Sequence, residues 1–448
     1  MRLRLDPPID EWPVPTPQRP IWTGHQAFLW HPGILTKYLA AEAVSRRAGS
    51  PGSPGVAFGN VVVDQDVYDP LSVTLPRRDS AQPDRLMAQR FSLGPVVQDV
   101  PPHMQPAVKV KVINERITGL PADVVIDRDR LIGAFRHTDR ESPFLAYQMD
   151  TVLRRLAPAY AASASSRFAS GLLRGEAEVM DRLLHDATQC ARIYNKAVRA
   201  VPEAGMRPMS VERDRVEVPL WKLGWMRPRE RVFVDLADST PIFVTEDGEP
   251  VAIDEKNAPG RVVLAPRALL MTAMLRRPDR CGLFVHGTGG GNYDRVTERW
   301  WAAWAGEVLA PMAVVTADLH LTFGDLPVNG PEELARAKWY AHHLPHNVDR
   351  VLGLPADDPD VRAKRELLEH MDDDRDAGRR RSAFTALHRI NKGLVKRHAD
   401  ALAEAGRAVD RADAGVANAA TAGRRDWPLA CYPAEALAAL VSRLEASG

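Results

Sequence analysis

Residues 21–49, "IWTGHQAFLWHPGILTKYLAAEAVSRRAG", decide how we expect this chain to fold, because an apolar run passes through a turn into a helical pattern. Pro32 suits the first position of a helix, His31 suits the cap before it, and Gly49 suits the end. Apolar side chains then recur at the spacing of one helical face. The stretch predicts a short buried strand followed by a helix.

A second apolar run follows at residues 56–70, "VAFGNVVVDQDVYDP", and ends abruptly in acids. Continuous apolar runs are typical of strands covered on both faces, and strand, helix, strand is the unit of a parallel sheet. The pattern returns in "CGLFVHG" at 281–287 and "PMAVVTADL" at 311–319, with an amphipathic helix between them. We therefore predict an α/β fold built on an open parallel sheet.

Other parts of the chain carry different patterns. The start is rich in proline, which favours an extended arm. "AVKVKVI" at 107–113 alternates like a strand, and an Asp-Gly pair at 247 and 248 signals a hairpin. The expected division is an arm over 1–19, a core over 20–330 with a helical insertion at about 145–200 and an antiparallel β insertion at about 210–255, and a helical C-terminal region over 331–448.

Composition limits the classes of function. The chain has 448 residues, of which 45% are hydrophobic, and a formal net charge of +1. This balance predicts a globular protein without a nucleic-acid or membrane partner. Three scattered cysteines without a C-x-x-C spacing favour a reducing compartment, and we see neither a signal peptide nor a membrane span. We expect a cytoplasmic protein that acts on a small molecule.

The turn at residues 23–37 is the first candidate site. A strand that leads into a helix N-terminus offers free N–H groups and the positive end of the helix dipole, which attract phosphate or carboxylate. The candidate ligand-binding residues are Thr23, Gly24, Gln26, Gly33 and Lys37, and the candidate catalytic residues are His25 and His31. The alternative is local: His31 only caps the helix, and His25 packs in a polar turn.

Acidic residues at the end of the second apolar run form the second candidate. Ligands bind at the carboxyl ends of strands in open α/β sheets. Asp64 could act there as a base or hold a metal ion, and Asp66 could bind the ligand. The alternative is that Asp66 is merely solvated and that Asp69 starts a turn with Pro70.

A glycine-rich turn after the strand at 281–287 is the third candidate. The glycines at 287–291 match neither the Walker loop nor the dinucleotide fingerprint, but they would let backbone approach a ligand. We expect the next helix to begin near Asn292 or Asp294. The candidate residues are His286 for catalysis and Arg267, Gly287, Gly289, Gly290, Asn292, Tyr293 and Asp294 for binding. The alternatives are a plain connector, a core histidine and a surface ion pair for Arg267.

The three candidates would meet if their strands are parallel and adjacent. His25, His31, Asp64 and His286 would then surround one edge of the sheet. A further cluster, the histidines at 342, 343 and 346, has a zinc-compatible spacing but no HExxH glutamate, so we expect solvated histidines at a helix end. We predict no metal site in the protein's own side chains.

In the order of its motifs the chain resembles the bacillithiol-synthesis cysteine-adding enzyme family. "TGHQAFLWHPGILTKY" stands where that family has T-G-Q-Q, a Gly-Pro turn and a helix with Tyr and Lys. "VVVDQDVYDP", "APRALLM" and "VHGTGGGNYD" stand where it has an acid-ended strand, a Pro-Arg pair and a Gly-Gly-Pro-Gly-Glu turn followed by a tyrosine. The chain is also similar to a bacterial group with "GHQ…HPG" and "HGxGGxxYD", a likeness that implies the fold alone.

The resemblance implies a Rossmann-like core related to the nucleotidylyltransferases with a His-x-Gly-His signature, and a helical C-terminal element. It also implies amide formation between a cysteine carboxylate and an amino sugar. The chain differs where His25 replaces a glutamine, His31 a glycine, and the later turn gains His286. With these additional histidines the chain resembles the nucleotidylyltransferases more closely, because histidines stabilise phosphate charge in those enzymes.

We therefore expect a ligase or nucleotidyltransferase-like enzyme that uses ATP or another nucleotide with Mg²⁺ on a small anionic metabolite. One alternative is a metal-dependent hydrolase with His25, His31, Asp64 and His286 as ligands. The other is a non-catalytic binding or scaffold protein. Whichever function applies, we expect the C-terminal helices to form a coiled coil that could join two copies of the chain in a homodimer.

Overall fold

The computed structural model describes residues 2–16, 18–48, 58–163, 166–251, 262–324, 326–373 and 375–446. The chain forms two compact units: unit 1 comprises Met1–Leu75, Gln89–His320 and Arg425–Gly448, and unit 2 comprises Pro76–Ala88 and Leu321–Arg424. The expected helical region over 331–448 differs from unit 2 at both ends. Unit 2 also takes in the segment 76–88, and the last residues of the chain belong to unit 1.

Twelve strands and sixteen α-helices are found in the described residues. The strands are β1 (Arg2–Asp6), β2 (Ile21–His25), β3 (Gly59–Val62), β4 (Ser72–Arg78), β5 (Leu86–Ser92), β6 (Arg167–Phe168), β7 (Arg215–Leu223), β8 (Glu230–Asp235), β9 (Ile242–Thr245), β10 (Val263–Pro266), β11 (Leu283–His286) and β12 (Met312–Asp318). The helices of unit 1 are α1 (Pro32–Arg47), α2 (Val110–Thr118), α3 (Arg128–Phe135), α4 (Thr138–Glu141), α5 (Leu145–Leu156), α6 (Pro158–Ala161), α7 (Ala177–His185), α8 (Ala187–Ala200), α9 (Ala268–Leu275), α10 (Thr288–Ala305) and α16 (Ala434–Glu445). Those of unit 2 are α11 (Pro331–His343), α12 (Val348–Val351), α13 (Pro359–Asp373), α14 (Ala377–Arg397) and α15 (Ala399–Ala422).

The main sheet has six strands in the order β1-β12-β11-β2-β3-β6. All neighbours pair in parallel except β1, which runs antiparallel to β12. From β2 the chain moves to one side of the sheet through β3 and β6, and it returns on the other side through β11 and β12. The order therefore reverses between β2 and β11. The prediction of a mixed α/β fold on a mostly parallel sheet is confirmed at this level.

The N-terminal segment, predicted as an extended arm over 1–19, is extended at its start, where Arg2–Asp6 form an edge strand on β12. Its side chains are only partly covered, so "RLRLD" lacks the apolar run of a central strand. Further on, Ile9 and Trp12 are buried. The arm is thus anchored to the sheet.

The segment "AVKVKVI" was predicted as a strand, but Val110–Thr118 form the helix α2. Ile113 and Ile117, four residues apart, are both fully buried. A Val-Lys alternation fits a strand only if one face stays buried along its length. Here burial follows the helical period instead.

The two expected insertions are present with altered limits. The region 145–200 holds α5 to α8 but also the two-residue strand β6, which pairs with β3. The antiparallel sheet, in the order β10-β7-β8-β9, extends from 215 to 266. Residues 252–261, which include the last four of the predicted insertion, lie outside the described residues.

Two apolar cores hold the elements around the site. Trp22 of β2 and Phe284 of β11 pack with Met271 of α9 against one face of the sheet. Trp300 and Trp304 of α10 stack with ring centroids 5.4 Å apart in a second core, with α8 and β7. These contacts fix α9 and α10 beside the carboxyl ends of the central strands.

Unit 2 consists of the helices α11 to α15 and the segment 76–88. Asn418 of α15 joins its parts: the side-chain amide donates to the backbone oxygens of Asp84 and Pro327, both at 2.8 Å. Its Oδ1 accepts the N–H of Leu86 at 2.6 Å. In the part of the chain that the structure describes, no helix is long and apolar enough to cross a membrane.

Candidate functional site

A cavity of about 290 Å³ lies at the carboxyl ends of β2 and β11, where the strand order reverses. Small-molecule sites have volumes of roughly 300–1,000 Å³, and open α/β sheets bind ligands at this position. Most of the predicted residues line it, namely Gly24, His25, Gln26, His31, Gly33, Lys37, Asp66, His286, Gly287, Gly289, Gly290, Tyr293 and Asp294. The first and third candidate turns therefore face one another.

Asp64, predicted as a base or metal ligand at this edge of the sheet, does not line the cavity. Its carboxylate is fully buried and accepts the N–H of Ser170 at 2.9 Å and the hydroxyl of Ser170 at 2.6 Å. Nδ1 of His103 lies 2.9 Å from the same carboxylate. Because β3 ends two residues earlier, the Asp64 side chain can turn into the protein. There it fixes the turn that follows β6.

Three other predicted residues also lie outside the cavity, each for a local reason. The Thr23 hydroxyl donates to the backbone oxygen of Val285 at 2.9 Å and so joins β2 to β11. Arg267 forms an ion pair of 2.7 Å with Glu217. Asn292 is exposed on the outer side of α10. The structure therefore places these three side chains away from the cavity, in contacts within the protein or in solvent.

The glycine turn is itself the start of α10, which begins at Thr288 with Gly287 as N-cap rather than near Asn292 or Asp294. Thr288, Gly289 and Gly290 line the cavity. The first N–H groups of a helix have no acceptor within the helix, and they carry the positive end of its dipole. This wall of the cavity is suited to an anion.

Only some of the glycines leave room for a ligand. A Cβ at Gly24 would lie 2.2 Å from Cγ1 of Val61, and one at Gly33 would lie 2.9 Å from the oxygen of Ala317. These two glycines, predicted to admit a ligand, are instead required by packing inside the protein. At Gly289, by contrast, a Cβ would meet nothing within 4 Å.

Lys37 of α1 is the most unusual residue of the cavity. It is only 2% exposed, and its ammonium donates to the backbone oxygen of Gly24 at 2.7 Å. Among the described residues, no carboxylate forms an ion pair with it. Burial lowers the pKa of Lys37 to about 7. The cavity thus contains an amine that gains a proton near pH 7, and no carboxylate of the described residues balances the resulting charge.

The two histidines of the first turn present different ring nitrogens. Nδ1 of His31 accepts the N–H of Gly33 at 3.1 Å, so its Nε2 carries the proton. His25 donates from Nδ1 to the oxygen of Gln26 at 3.2 Å, which leaves its Nε2 as an acceptor. Burial, with Arg425 second, lowers the pKa of His31 to about 4, and burial followed by Lys37 lowers that of His25. Both rings are neutral at pH 7.

His286 belongs to a chain of polar contacts on α10. Its Nε2–H donates to Asp294 at 2.6 Å, and the guanidinium of Arg276 lies 2.7 Å from the same carboxylate. Burial alone would raise the pKa of Asp294, but His286 and Arg276 together hold it below its usual value. Asp294 therefore stays ionised and fixes the orientation of the imidazole.

Asp66 forms the acidic side of the cavity. It pairs with Arg229 at 2.7 Å and accepts from the amide of Gln26 at 3.2 Å. On another side Arg425, which pairs with Asp318 at 2.5 Å, lines the cavity from the C-terminal segment.

Sequence reasoning missed two arginines: Arg425, which lines the cavity, and Arg276, which lies behind it and contacts Asp294. Arg276 stands in "LRRPDR", which has no motif character, and Arg425 is distant in the chain. Only its place ahead of β11 could have drawn attention to Arg276. For Arg425 we find no signal in the sequence.

The ligand set of the hydrolase alternative does not assemble, because Asp64 is turned away and His286 is engaged with Asp294. Within the described ranges, no group of three His, Cys, Asp or Glu side chains could hold a metal ion. The histidines at 342, 343 and 346 contact one another through their rings at 5.1 and 5.8 Å, but they too fall outside such a group.

Compared with models of known families and with curated proteins, the chain gives no match.

Proposed function

We propose that the cavity binds the phosphate or carboxylate of a small molecule, and that the protein is a ligase or nucleotidyltransferase-like enzyme. The observation that carries this proposal is Lys37, a buried ammonium without a carboxylate among the described residues. Burying an uncompensated charge is costly. A bound anion would remove that cost and raise the pKa of Lys37 towards its usual range.

The surroundings of Lys37 support an anionic ligand. The helix start at Thr288–Gly290 supplies backbone N–H groups, and Nε2–H of His31 supplies a neutral donor. The side chain of Lys37 passes close to Gly287, where a Cβ would lie 3.9 Å from its Cδ. Donors from two helix starts and one ammonium thus surround the same space, which is the arrangement that phosphate groups favour.

The topology supports a nucleotide as the source of the phosphate. Counted along the chain, the parallel strands β6-β3-β2-β11-β12 have the order 3-2-1-4-5. This is the order of a Rossmann-like sheet, whose ligands bind where the order reverses. We propose that ATP or a related nucleotide binds here. Because the described side chains form no three-ligand metal group, Mg²⁺ would enter with the phosphates.

The chain's own side chains offer acid–base chemistry beside this anion site. Nε2 of His25 is free to accept a proton from an attacking amine or hydroxyl. His286 is held by Asp294, and a Cβ at Gly290 would lie 2.3 Å from its Nδ1, so the ring packs against the first turn of α10. In the proposed reaction His25 would move the proton, while Lys37 and the helix start would stabilise the developing negative charge.

The family resemblance makes cysteine and an amino sugar the first pair of substrates to test. From the composition and the helical C-terminal region we further propose a cytoplasmic protein that forms a homodimer through its C-terminal helices. The remaining alternative, a binding or scaffold protein without catalysis, shares the anion site and differs only in turnover.

The test is a ligand panel on the purified chain, with and without Mg²⁺: ATP, CTP, inorganic phosphate, cysteine and glucosamine. We expect nucleotides to raise the unfolding temperature, because a ligand that binds only the folded state stabilises it. Substrate pairs that shift the protein are then assayed for nucleotide consumption and amide formation. Absence of any shift at millimolar anion would overturn the proposal, and binding without turnover would favour the scaffold alternative.

A further inference from the structure

The helix α14 of unit 2 has an unusual charge composition. Its 21 residues, Ala377–Arg397, contain five arginines and two lysines but no aspartate or glutamate. Surface helices normally mix both signs of charge. The basic residues are Arg379, Arg380, Arg381, Arg389, Lys392, Lys396 and Arg397.

Four of these residues form one stripe, which we call the basic stripe: Arg381, Arg389, Lys392 and Lys396. All four are exposed, whereas Leu394 on the opposite side of the helix is fully buried. At 3.6 residues per turn they lie within an arc of roughly 80°, and at 1.5 Å per residue the stripe is about 22 Å long. The stripe therefore runs along the outer side of α14.

The basic stripe has no ion-pair partners among the described residues. Neighbouring cations of unit 2 behave differently. Arg397, on another side of α14, pairs with Asp358 at 3.0 Å, and Arg411 of α15 lies 2.6 Å from Glu404. The stripe thus presents four uncompensated charges in a row.

We propose that the basic stripe of α14 binds the phosphodiester backbone of a nucleic acid. A row of cations at spacings of roughly 5–12 Å along the helix axis matches a polyanion, whose binding is driven by the release of its counterions. Phe384, 55% exposed, lies at one edge of the stripe with its ring centroid 4.5 Å from that of His388. An exposed aromatic ring beside cations can stack on an unpaired base.

An anionic membrane fits these observations less well. Helices that lie on membranes bury a broad apolar face in the lipid and place cations at its borders. On α14 that apolar face is occupied inside unit 2, where Leu394 is buried, and Phe384 is the large apolar side chain that stays exposed. The net charge of +1, from which no nucleic-acid partner was predicted, conceals this local separation of charge. This inference goes beyond the function proposed for the cavity and does not depend on it.

The test uses the full chain with a fluorescein-labelled 20-nucleotide single-stranded RNA and a 20-base-pair DNA duplex, followed by anisotropy. Four phosphate contacts predict that affinity for the RNA falls about 50-fold between 50 and 200 mM salt. The variant R389Q/K392Q/K396Q should bind at least about 10-fold more weakly at 50 mM salt, with a salt dependence that is shallower by about 2 in log–log slope.

The matched control is R192Q/K196Q/R199Q, which removes three exposed cations from one side of α8 in unit 1. It changes the net charge equally and should bind within about 2-fold of the wild type. Circular dichroism and thermal melting check that both variants fold. Preference for RNA or for duplex identifies the source of the backbone, and either supports the proposal.

Three results would overturn it. They are absence of binding to both nucleic acids at 50 mM salt, an equal loss of affinity in the two variants, and binding only to vesicles of phosphatidylglycerol. If sedimentation shows that the stripe variant instead dissociates a dimer without altering nucleic-acid affinity, the stripe is a contact between copies of this chain and the proposal also fails.

Discussion

Two buried lysines, one in each unit, show how differently the same group can be accommodated. Lys364 of unit 2 is 7% exposed, and its ammonium lies 2.6 Å from the carboxylate of Asp349. Lys37 of unit 1 is 2% exposed and meets the backbone oxygen of Gly24 instead. A carboxylate balances a buried charge, whereas a carbonyl dipole does so only in part.

The difference separates a structural cation from a functional one. Lys364 has its counter-charge, Asp349, within the protein, so its ion pair forms when unit 2 folds and needs no ligand. For Lys37 we infer that the counter-charge belongs to a ligand. Such sites often cost stability, because the geometry is set for the bound state and not for the free protein.

The largest effect should come from removing the two ammonium groups in turn. We expect K37M to weaken binding of the nucleotide found in the panel by at least about 30-fold, because losing one partner of a buried charge pair costs about 2–5 kcal/mol. K364M, the matched control, should leave the affinity within about 2-fold. Isothermal titration calorimetry measures both. Similar losses in the two variants would show that Lys37 has no special part in binding.

The variants K37M and K364M should also change the free energy of unfolding in opposite directions. K37M should raise the free energy of unfolding at pH 6 by at least about 1 kcal/mol, because it removes a desolvated charge. K364M should lower it by about 1–3 kcal/mol, since it leaves Asp349 without its partner. Urea unfolding measures both. If K37M proves destabilising, the ammonium is already balanced in the free protein.

The pH dependence follows from the lowered pKa of Lys37. Between about pH 7, its pKa in the folded protein, and its ordinary value near 10.5, the unfolded chain holds the extra proton, so this group makes the free energy of unfolding rise with pH. The advantage of K37M over the wild type should therefore be full below pH 7 and shrink as the pH rises above it. An advantage that is the same at pH 6 and pH 9 would contradict this assignment.

The parallel core could be predicted because its central strands are continuous apolar runs in the sequence. "NVVV" and "LFVH" are apolar on both faces, and the helices between strands have clear starts, so the α/β class follows from residues 21–70 and 281–319. The edge strand β1 and the two-residue strand β6 have no such run. Both are held mainly by pairing with a neighbour that sequence cannot identify.

The site could be predicted to the level of its turns but not of each side chain. Parallel strands bring their carboxyl ends together, which places His25 and His286 at one cavity. Beyond a strand end, however, periodicity no longer fixes direction, and Asp64 turns inward to Ser170. That no carboxylate of the described residues pairs with Lys37 depends on what surrounds it in space, so only the structure shows it.

The glycines of α10 test whether the anion lies at the helix start beside Lys37. G289A should fold at least as well as the wild type, because a Cβ there has open space and alanine favours helices by about 1 kcal/mol. It should nevertheless weaken nucleotide binding by about 10-fold, since the new methyl group would enter the space that the ligand needs. If G289A binds the nucleotide with unchanged affinity, the anion does not bind at the start of α10.

G290A is the contrasting variant. Its Cβ would lie 2.3 Å from Nδ1 of His286, so the ring has to leave its place beside Asp294. We expect a loss of stability of about 1–3 kcal/mol from this overpacking. Thermal melting of the two alanine variants distinguishes a glycine kept for packing from one kept for a ligand.

The smallest effect concerns His31, for which a capping role and a binding role compete. H31A removes the acceptor for the Gly33 N–H and should cost about 1 kcal/mol of stability. H31N keeps a cap acceptor and should restore that stability, but it lacks the Nε2–H that we propose donates a hydrogen bond to the anion. We therefore expect both variants to bind the nucleotide about 3- to 10-fold more weakly than the wild type, as for the loss of one hydrogen bond of about 1 kcal/mol. If H31N recovers stability and affinity together, His31 is a cap alone, and the anion site rests on Lys37 and the start of α10.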